Sequence, residues 1–487
     1  MFKIGLRGAP VKIAILSSAS AGGAGIAAFR IYQAFVANSE HEVDFFDMIT
    51  LGQVNIEVSP TDSASNGKIT NTHFTIDYAS DVRQWVIDLL MDYDAINVQW
   101  ASYLVSLSEI HELAKSGKKI LFTLHDFHYI TGGCHYPAGC TGFLKNCVGC
   151  PQVNEKVLSQ QTVVATNKLK RNIFSYPNVH LSAPSQFIVD NAIRSGIVPP
   201  ERAHVLRNAY EAVCEFEHKD NTAEKSILLI ADSFDEQRKG LALAVDSLKI
   251  AVQDYRKNNS KVTLHLVGGL DAEVIRRLDD SEIKVVTHGH IKDHGKLVDI
   301  FKQCQFILSC SYEDNWPNIL VEAGSYGCIP IVGKWHGCEE FVNALGLGYV
   351  ASHYTAEQYA IAINQALNTH LDKALLADFV KKVCVIHAPK NVVENYMVVF
   401  NQENQSVLSS SSKQEIHFSA NYLAAMKGIL TTQWQTATIS TVESPFGNSE
   451  HNVEFKASEI GWNLTVENSK YALNQYRYGL SNFKIKS

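Results

Sequence analysis

Short apolar runs alternate with longer amphipathic segments over most of the first 400 residues. In the first half this pattern predicts strands at residues 11–16, 43–46, 95–98, 119–124 and 180–183. The pattern then restarts and predicts strands at residues 226–230, 262–267, 283–286, 306–309 and 329–332. Short strands separated by helical segments are typical of parallel βαβ units. The sequence therefore predicts two successive doubly wound, Rossmann-like α/β domains that face a cleft.

The same pattern sets the expected domain boundaries. The first domain is expected over residues 1–205 and the second over residues 206–385, followed by a returning helix at 386–402. Residues 403–414 are rich in serine, as in a linker. Residues 415–487 lose the strand–helix alternation, so they are predicted to form a small accessory segment of unidentified role.

Composition narrows the class of protein. A hydrophobic content of 46% and a charged content of 19% are ordinary for a soluble globular chain. The net charge of −7 argues against a general nucleic-acid binder, which would carry a basic surplus. No apolar run approaches the roughly 18 residues that a membrane-spanning helix needs. Ten cysteines in a chain of this size fit a reducing compartment, so a cytoplasmic location is expected.

Two carboxylates, Asp314 and Glu322, lie eight positions apart between two predicted strands. Asp314 falls on the loop after the first strand, and Glu322 falls on the helix that follows. Ligands of open α/β sheets bind at the carboxyl ends of the strands, and a carboxylate there can accept hydrogen bonds from neighbouring sugar hydroxyls. The alternative is that Asp314 only caps the helix and that Glu322 is a surface residue.

A basic pair, Arg238 and Lys239, directly precedes a predicted helix that begins at Leu241. Cations at the start of a helix oppose its dipole, so an anion is expected beside them. Guanidinium and ammonium groups both suit phosphate. The pattern therefore favours a diphosphate partner over the alternative of a solvated basic pair.

The first strand–helix turn and the end of a later strand supply further candidates. Gly22 and Gly23 precede the first predicted helix, where glycine lets the backbone approach a ligand and the helix N-terminus attracts phosphate. The spacing is not G-x-G-x-x-G, and packing alone is the alternative. His125 follows the strand at 119–124, where a cleft residue belongs, although a purely structural histidine would also fit.

Four cysteines lie within seventeen residues at Cys134, Cys140, Cys147 and Cys150. Four thiolates with a closing C-x2-C suit a tetrahedral structural zinc ion. Buried or disulfide-paired cysteines and an iron–sulfur cluster are the alternatives. Four cysteines would close the coordination sphere, which argues against a catalytic zinc ion.

These residues together resemble the retaining GT-B glycosyltransferases of glycosyltransferase family 4. The resemblance covers about residues 11–400 and rests on the glycines at 22–25, the Asp314-x7-Glu322 element and the run at 123–152. That run is similar to a subgroup of bacterial cell-surface polysaccharide enzymes with the same cysteine-rich insertion. The expected fold is thus GT-B, with a first domain on the acceptor side and a second domain that binds the nucleotide sugar.

The resemblance also implies the site. The expected catalytic residues are His125, Asp314 and Lys239, and the expected donor-binding residues are Gly22, Gly23, Arg238, Lys239, Asn318 and Glu322. Glu322 would hold the nucleotide ribose, Asp314 the donor sugar and Lys239 the diphosphate. The cysteine-rich run would fix one wall on the acceptor side.

This chain departs from the family pattern in one place. Asp232 and Ser233 stand where the family usually has Gly-Arg, so Arg238 is expected to replace that cationic contact. Aspartate at position 314, in place of the usual glutamate, shortens the side chain by a methylene and would favour a particular sugar.

The predicted activity is that of a hexosyltransferase-type enzyme (EC 2.4). It would transfer a sugar from a nucleotide diphosphate sugar to a hydroxyl of a glycan or lipid-linked acceptor, with retention and no obligatory catalytic divalent metal. Partners would include no nucleic acid, and peripheral association with the inner face of the membrane is compatible with this activity. The alternatives are a sugar-nucleotide epimerase or phosphorylase on the same fold, or a zinc-stabilised binding or scaffold protein without turnover.

Overall fold

The computed structural model describes residues 10–52, 74–77, 82–153, 158–212, 224–233, 237–255, 261–269, 276, 278, 283–370 and 372–402, with five further strands between 439 and 484. Those residues form two parallel sheets, each flanked by helices, and a third sheet near the C-terminus. No helix in the part of the chain that the structure describes is both long and apolar enough to cross a membrane.

The first sheet has six parallel strands in the order β2-β1-β3-β4-β5-β6. The strands are β1 (Lys12–Leu16), β2 (Glu42–Phe46), β3 (Ala95–Val98), β4 (Lys119–Thr123), β5 (Val179–Ala183) and β6 (Ala203–Val205). The helices between them are α1 (Gly22–Asn38), α2 (Gln84–Met91), α3 (Leu107–Lys115), α4 (Gln160–Ser175) and α5 (Gln186–Arg194). The inner strands are buried at nearly every position because helices cover both faces of the sheet.

The second sheet repeats this arrangement in the order β12-β11-β10-β7-β8-β9. Its strands are β7 (Glu224–Ser233), β8 (Lys261–Gly269), β9 (Lys284–Thr287), β10 (Phe306–Ser309), β11 (Ile329–Gly333) and β12 (Tyr349–Ala351). Its helices are α6 (Leu241–Tyr255), α7 (His294–Gln303), α8 (Asn318–Ser325), α9 (Gly337–Leu345), α10 (Ala356–Asn368) and α11 (Lys373–His387). Both sheets have parallel pairing throughout.

Helix starts carry the side chains that the local sequence predicts. Ser106 and Glu109 form a capping box at the start of α3, in which each side chain binds the other residue's backbone N–H. Ser159 and Ser185 cap α4 and α5 in the simpler way, by accepting one backbone N–H. Such caps satisfy amide groups that otherwise lack a partner within the helix.

The final helix, α12 (Pro389–Phe400), leaves the second sheet and packs against the first. Val392 and Tyr396 are buried in the same cluster as Ile13 of β1, and Lys119 of β4 donates to the carbonyl of Phe400 at 2.8 Å. The two halves are therefore joined twice, once after β6 and once through this helix.

The ten strands predicted from the apolar runs are all present, with ends within three residues of the expected ones. The pattern missed β6 and β12, the three-residue strands at the edges of the two sheets. Each is too short to show a periodicity of its own.

The C-terminal strands are β13 (Ile439–Thr441), β14 (Val453–Ser458), β15 (Gly461–Val466), β16 (Tyr471–Leu473) and β17 (Asn482–Lys484). They form a sheet of order β13-β16-β17-β15-β14, in which β14 and β15 pair antiparallel. They lie within the predicted accessory segment at 415–487. The predicted linker at 403–414 lies outside the described residues.

Candidate active site between the two sheets

A cleft of about 550 Å³ opens between the carboxyl ends of the two sheets. All eight residues predicted for catalysis or donor binding line it: Gly22, Gly23, His125, Arg238, Lys239, Asp314, Asn318 and Glu322. They come from both halves of the chain. This is the place where open α/β sheets bind ligands.

One wall of the cleft is the start of α1. Its N-cap is Ala21, whose side chain has no hydrogen-bonding group, and its first turn contains no acidic residue. Gly22 has φ +73°, a conformation that favours glycine, and a Cβ on Gly25 would lie 2.5 Å from the carbonyl oxygen of Ala19. The glycines thus allow the tight turn that places the N-terminus of α1 at the cleft. A helix N-terminus attracts anions.

The opposite wall carries the basic pair and Asp314. Lys239 Nζ lies 3.0 Å, and Arg238 Nη1 3.5 Å, from Asp314 Oδ2. Burial alone would raise the pKa of Asp314, but the charges of Lys239 and Arg238 outweigh burial and hold it below its usual range. In this structure the anion expected beside Arg238 and Lys239 is therefore the ionised carboxylate of Asp314.

Glu322 of α8 is paired with a residue that the sequence did not suggest. Arg30 of α1 binds its carboxylate at 2.6 Å, and both side chains are largely buried. Nearby, Asn318 donates to the carbonyl of Gly23 and accepts from Asn208, both at 2.9 Å. The contacts of Glu322 with Arg30 and of Asn318 with Gly23 join the two walls of the cleft through α1.

The sequence contains one local indication that Arg30 has a specific partner. This residue lies next to the buried positions Ala27, Ala28 and Ile31 of α1, on a helix whose first turn enters the cleft. A cation beside the buried face of such a helix is expected to have a specific partner. The partner, 292 positions away, leaves no local trace.

His125 lies at the carboxyl end of β4, and burial lowers its pKa to about 4. It is therefore neutral near pH 7. The Gln99 amide nitrogen donates to Asn97, so the amide oxygen of Gln99 faces His125. His125 Nε2–H therefore donates to Gln99 Oε1 at 2.6 Å. This leaves Nδ1 as the nitrogen without a proton, able to accept a hydrogen bond from a hydroxyl.

A buried polar network lies behind His125, and its side-chain pairings were not predicted from the sequence. Asp126, which lines the cleft, binds His135 at 2.7 Å, while His128 binds Asp77 at 2.6 Å. The rings of His128 and His135 stack at 4.5 Å. These side chains hold one another in fixed orientations beneath the cleft.

The four predicted metal ligands converge on one small cavity of about 10 Å³. Backbone N–H groups donate to two of the sulfurs, from Gly132 to Cys147 at 3.1 Å and from Gly142 to Cys140 at 3.3 Å. Burial raises the pKa of the Cys140 and Cys147 thiols to about 12. Within the described ranges, no group of three or more His, Cys, Asp or Glu side chains has an arrangement that could hold a metal ion. The donor chemistry fits zinc, but the four sulfurs are not arranged as a formed site.

The cysteine-rich run also contacts the second half of the chain. The amides of Ala138 and Gly139 donate to Glu313 at 3.1 and 3.3 Å, and the ring of Tyr136 lies 4.0 Å from the Arg238 guanidinium. Burial raises the pKa of Glu313 to about 7, although the two amides act against the increase. The run thus contacts Arg238, one of the residues predicted to bind the donor, and Glu313, the neighbour of Asp314.

The side chains of Asp232 and Ser233 lie outside what the structure describes, although their backbone belongs to β7. Arg238, their expected replacement, lies in the cleft.

Comparison with known proteins shows what the second half of the chain resembles. A model of the family Glycosyl transferases group 1 matches residues 215–382, a stretch that includes Lys239, Asp314 and Glu322. WcaC of Escherichia coli (strain K12), whose name describes a glycosyl transferase of colanic acid biosynthesis, is 23% identical over 327 residues. That match covers 63% of this chain and 75% of WcaC.

Solved structures share the fold. A glycosyltransferase of Rickettsia africae matches with a TM-score of 0.53 at 12% identity, over 80% of this chain and 97% of that one. Sucrose-phosphate synthase of Thermosynechococcus elongatus matches with a TM-score of 0.51 at 16% identity, over 80% and 98%. HepE of Anabaena, solved with UDP and glucose, matches with a TM-score of 0.50 at 15% identity, over 81% and 100%. The chain therefore has the GT-B fold, with a glycosyl transferases group 1 domain in its second half.

Proposed function

We propose that the protein is a retaining glycosyltransferase of family 4 that transfers a hexose from a nucleoside diphosphate sugar to a hydroxyl of a glycan or lipid-linked acceptor. One observation carries the proposal: eight residues chosen from the sequence, in both halves of the chain, line one cleft. UDP is the first donor nucleotide to test, because HepE has been solved with UDP.

The donor diphosphate would lie between Lys239 and the start of α1. An ammonium, a guanidinium and a helix N-terminus together stabilise the charge that develops on the leaving phosphate. Arg238 would supply the second cation. The ribose hydroxyls would bind the Glu322 carboxylate. Glu322 must then either release Arg30 or bind Arg30 and the hydroxyls at the same time.

The transfer would take place on one face of the sugar. The acceptor oxygen forms a bond to the anomeric carbon as the bond between that carbon and the β-phosphate oxygen breaks. The phosphate oxygen keeps the electron pair of the broken bond. The acceptor proton passes to the leaving phosphate, so the products are the glycoside and the nucleoside diphosphate. Asp314 would bind donor-sugar hydroxyls, and neutral His125 would accept from a hydroxyl through Nδ1.

Zinc would be a structural part of this enzyme. Cys134, Cys140, Cys147 and Cys150 would hold the ion as thiolates, and the backbone N–H groups on two of the sulfurs favour that form. We expect about one zinc ion per chain by elemental analysis, which is the content of one closed four-ligand site. Cys147→Ser should lower both the zinc content and the melting temperature. Metal-free protein of normal stability would instead identify four buried thiols.

The activity is tested by incubating the protein with UDP-, GDP-, ADP- and dTDP-sugars and an acceptor panel, and by measuring release of the nucleoside diphosphate. NMR of the product reports the anomeric configuration. Lys239→Ala is the test variant, and Lys302→Ala, an exposed lysine on α7, is the matched control. We expect release of the nucleoside diphosphate with retention at the anomeric carbon. Lys239→Ala should reduce this activity strongly, and Lys302→Ala should preserve it. Inversion would refute the mechanism.

A binding protein without turnover is the second candidate. It is favoured by Asp232 and Ser233 in place of the usual Gly-Arg, and by the internal pairing of Lys239 with Asp314. Binding of a nucleotide sugar without release of the nucleoside diphosphate from any donor in the panel would support it.

A further inference from the structure

The cysteine loop, defined as residues 134–150, belongs to the first half of the chain but binds a carboxylate of the second. Ala138 has φ +47° and Gly139 has φ +80°, and their successive amides donate to the two carboxylate oxygens of Glu313. Consecutive backbone amides in this conformation form a concave anion-binding site. A positive φ at an alanine is uncommon, so this backbone arrangement indicates a specific role.

The same loop covers Arg238. The Tyr136 ring lies 4.0 Å from the guanidinium, within the range of a cation–π interaction. On its other side Arg238 Nη1 donates to the backbone carbonyl of Glu313 at 2.8 Å. Arg238 is therefore fixed between the loop and the acidic segment, which leaves its guanidinium beside Asp314 in the cleft.

Apolar contacts of the cysteine loop also extend to both halves of the chain. Cys140 packs against the hydrophobic core of the second half, whereas Cys134, Cys147 and Cys150 are buried in a core cluster of the first half. The cysteine loop is thus packed against both halves at once.

We propose that the cysteine loop is a donor-side clamp, in which Tyr136 and Glu313 are positioning residues that orient Arg238 and Asp314 for the diphosphate and the sugar. This inference rests on the proposed function. It differs from the expectation from sequence, in which the loop fixes a wall on the acceptor side. Loss of the clamp should weaken donor binding and leave acceptor binding largely unchanged.

The test uses Tyr136→Leu and Glu313→Ala in the full chain, with titration of UDP and separate Michaelis constants for the UDP-sugar and the acceptor. Each change should weaken UDP binding about tenfold or more, because each removes a charge-assisted or cation–π contact. The double variant should lose less than the product of the two effects, since both contacts hold the same loop against the segment that carries Arg238 and Asp314.

Glu340→Ala is the matched control. Glu340 also joins the two halves, since it pairs with Arg207 at 2.8 Å and accepts from the Phe187 amide at 3.2 Å. It should lower the melting temperature without a selective increase in the donor Michaelis constant. An equal increase in this control would show that Tyr136 and Glu313 act only by docking the two halves.

Hydrogen exchange provides a readout that does not depend on activity. Tyr136→Leu should speed amide exchange in the peptide covering residues 311–316, which lies in the other half of the chain, and Glu340→Ala should not. Unchanged exchange there, or an effect on the acceptor alone, would overturn the clamp. If wild-type protein binds no nucleoside diphosphate, the proposed function fails, and the exchange result still decides whether the loop holds the acidic segment.

Discussion

The two parallel sheets share one topology but contribute different chemistry to the cleft. The first half supplies the helix start at Gly22 and a neutral His125, whereas the second supplies Lys239, Asp314 and Glu322. The charged wall of the second half suits a nucleoside diphosphate, and the neutral His125 of the first half suits the hydroxyls of an acceptor. The repeated fold thus provides the cleft, and the side chains that line it differ between the two halves; under the proposed function they would divide donor and acceptor binding.

Loss of Lys239 should have the largest effect. Lys239→Ala should lower kcat by about 10²–10³-fold, with a smaller effect on donor binding, because charge on the leaving diphosphate peaks in the transition state. Steady-state kinetics with the donor identified in the panel would measure it. A silent Lys239→Ala beside an inactive Arg238→Ala would reverse the assignment within the basic pair.

Glu322→Ala should act next most strongly and mainly on the donor. It removes charge-assisted hydrogen bonding worth roughly 1.5–3 kcal/mol, so the donor Michaelis constant should rise by about one to two orders of magnitude. The change also leaves Arg30 without this partner, so Arg30→Gln in the same background separates the two effects. A normal donor Michaelis constant together with a normal kcat would make Glu322 an ordinary helix residue.

His125→Ala tests the neutral histidine of the first half. One neutral hydrogen bond contributes about 1 kcal/mol, so an increase of roughly fivefold in the Michaelis constant for the acceptor or the donor sugar is expected. UDP affinity should stay within about twofold of wild type, since the histidine faces hydroxyls and not the diphosphate. A large loss of UDP affinity would break the division between the two walls.

Acidic pH should lower the folding stability of both halves of the chain. Burial lowers the pKa of His180 in the first half, and of His336 and His387 in the second, to about 4. These side chains are neutral when folded but protonate near pH 6.5 when unfolded, so stability is full above pH 6.5 and falls progressively towards pH 4. The melting temperature measured from pH 7.5 to 4.5 should fall in this window. A constant melting temperature would contradict the buried, neutral histidines.

The sequence predicted the parts of this account that have a local signature. Apolar runs located the inner strands, and Asp314 and Glu322 followed from their places after a strand and in a helix. The pairing of Arg30 with Glu322 and of Glu313 with the amides of the cysteine loop could not be predicted, because each joins segments more than 170 positions apart. Side chains brought together by folding leave no periodicity in either segment.

The central claim is that the charged wall binds a nucleoside diphosphate, and calorimetric titration tests it most directly. Wild-type protein is titrated with UDP, GDP, ADP and dTDP, and the nucleotide that binds is then titrated into Lys239→Ala, Glu322→Ala and the control Lys302→Ala. The account predicts saturable binding of one of the four, weakened in the first two variants and unchanged in the control. Binding of none of them, or equal affinity in all four proteins, would contradict it.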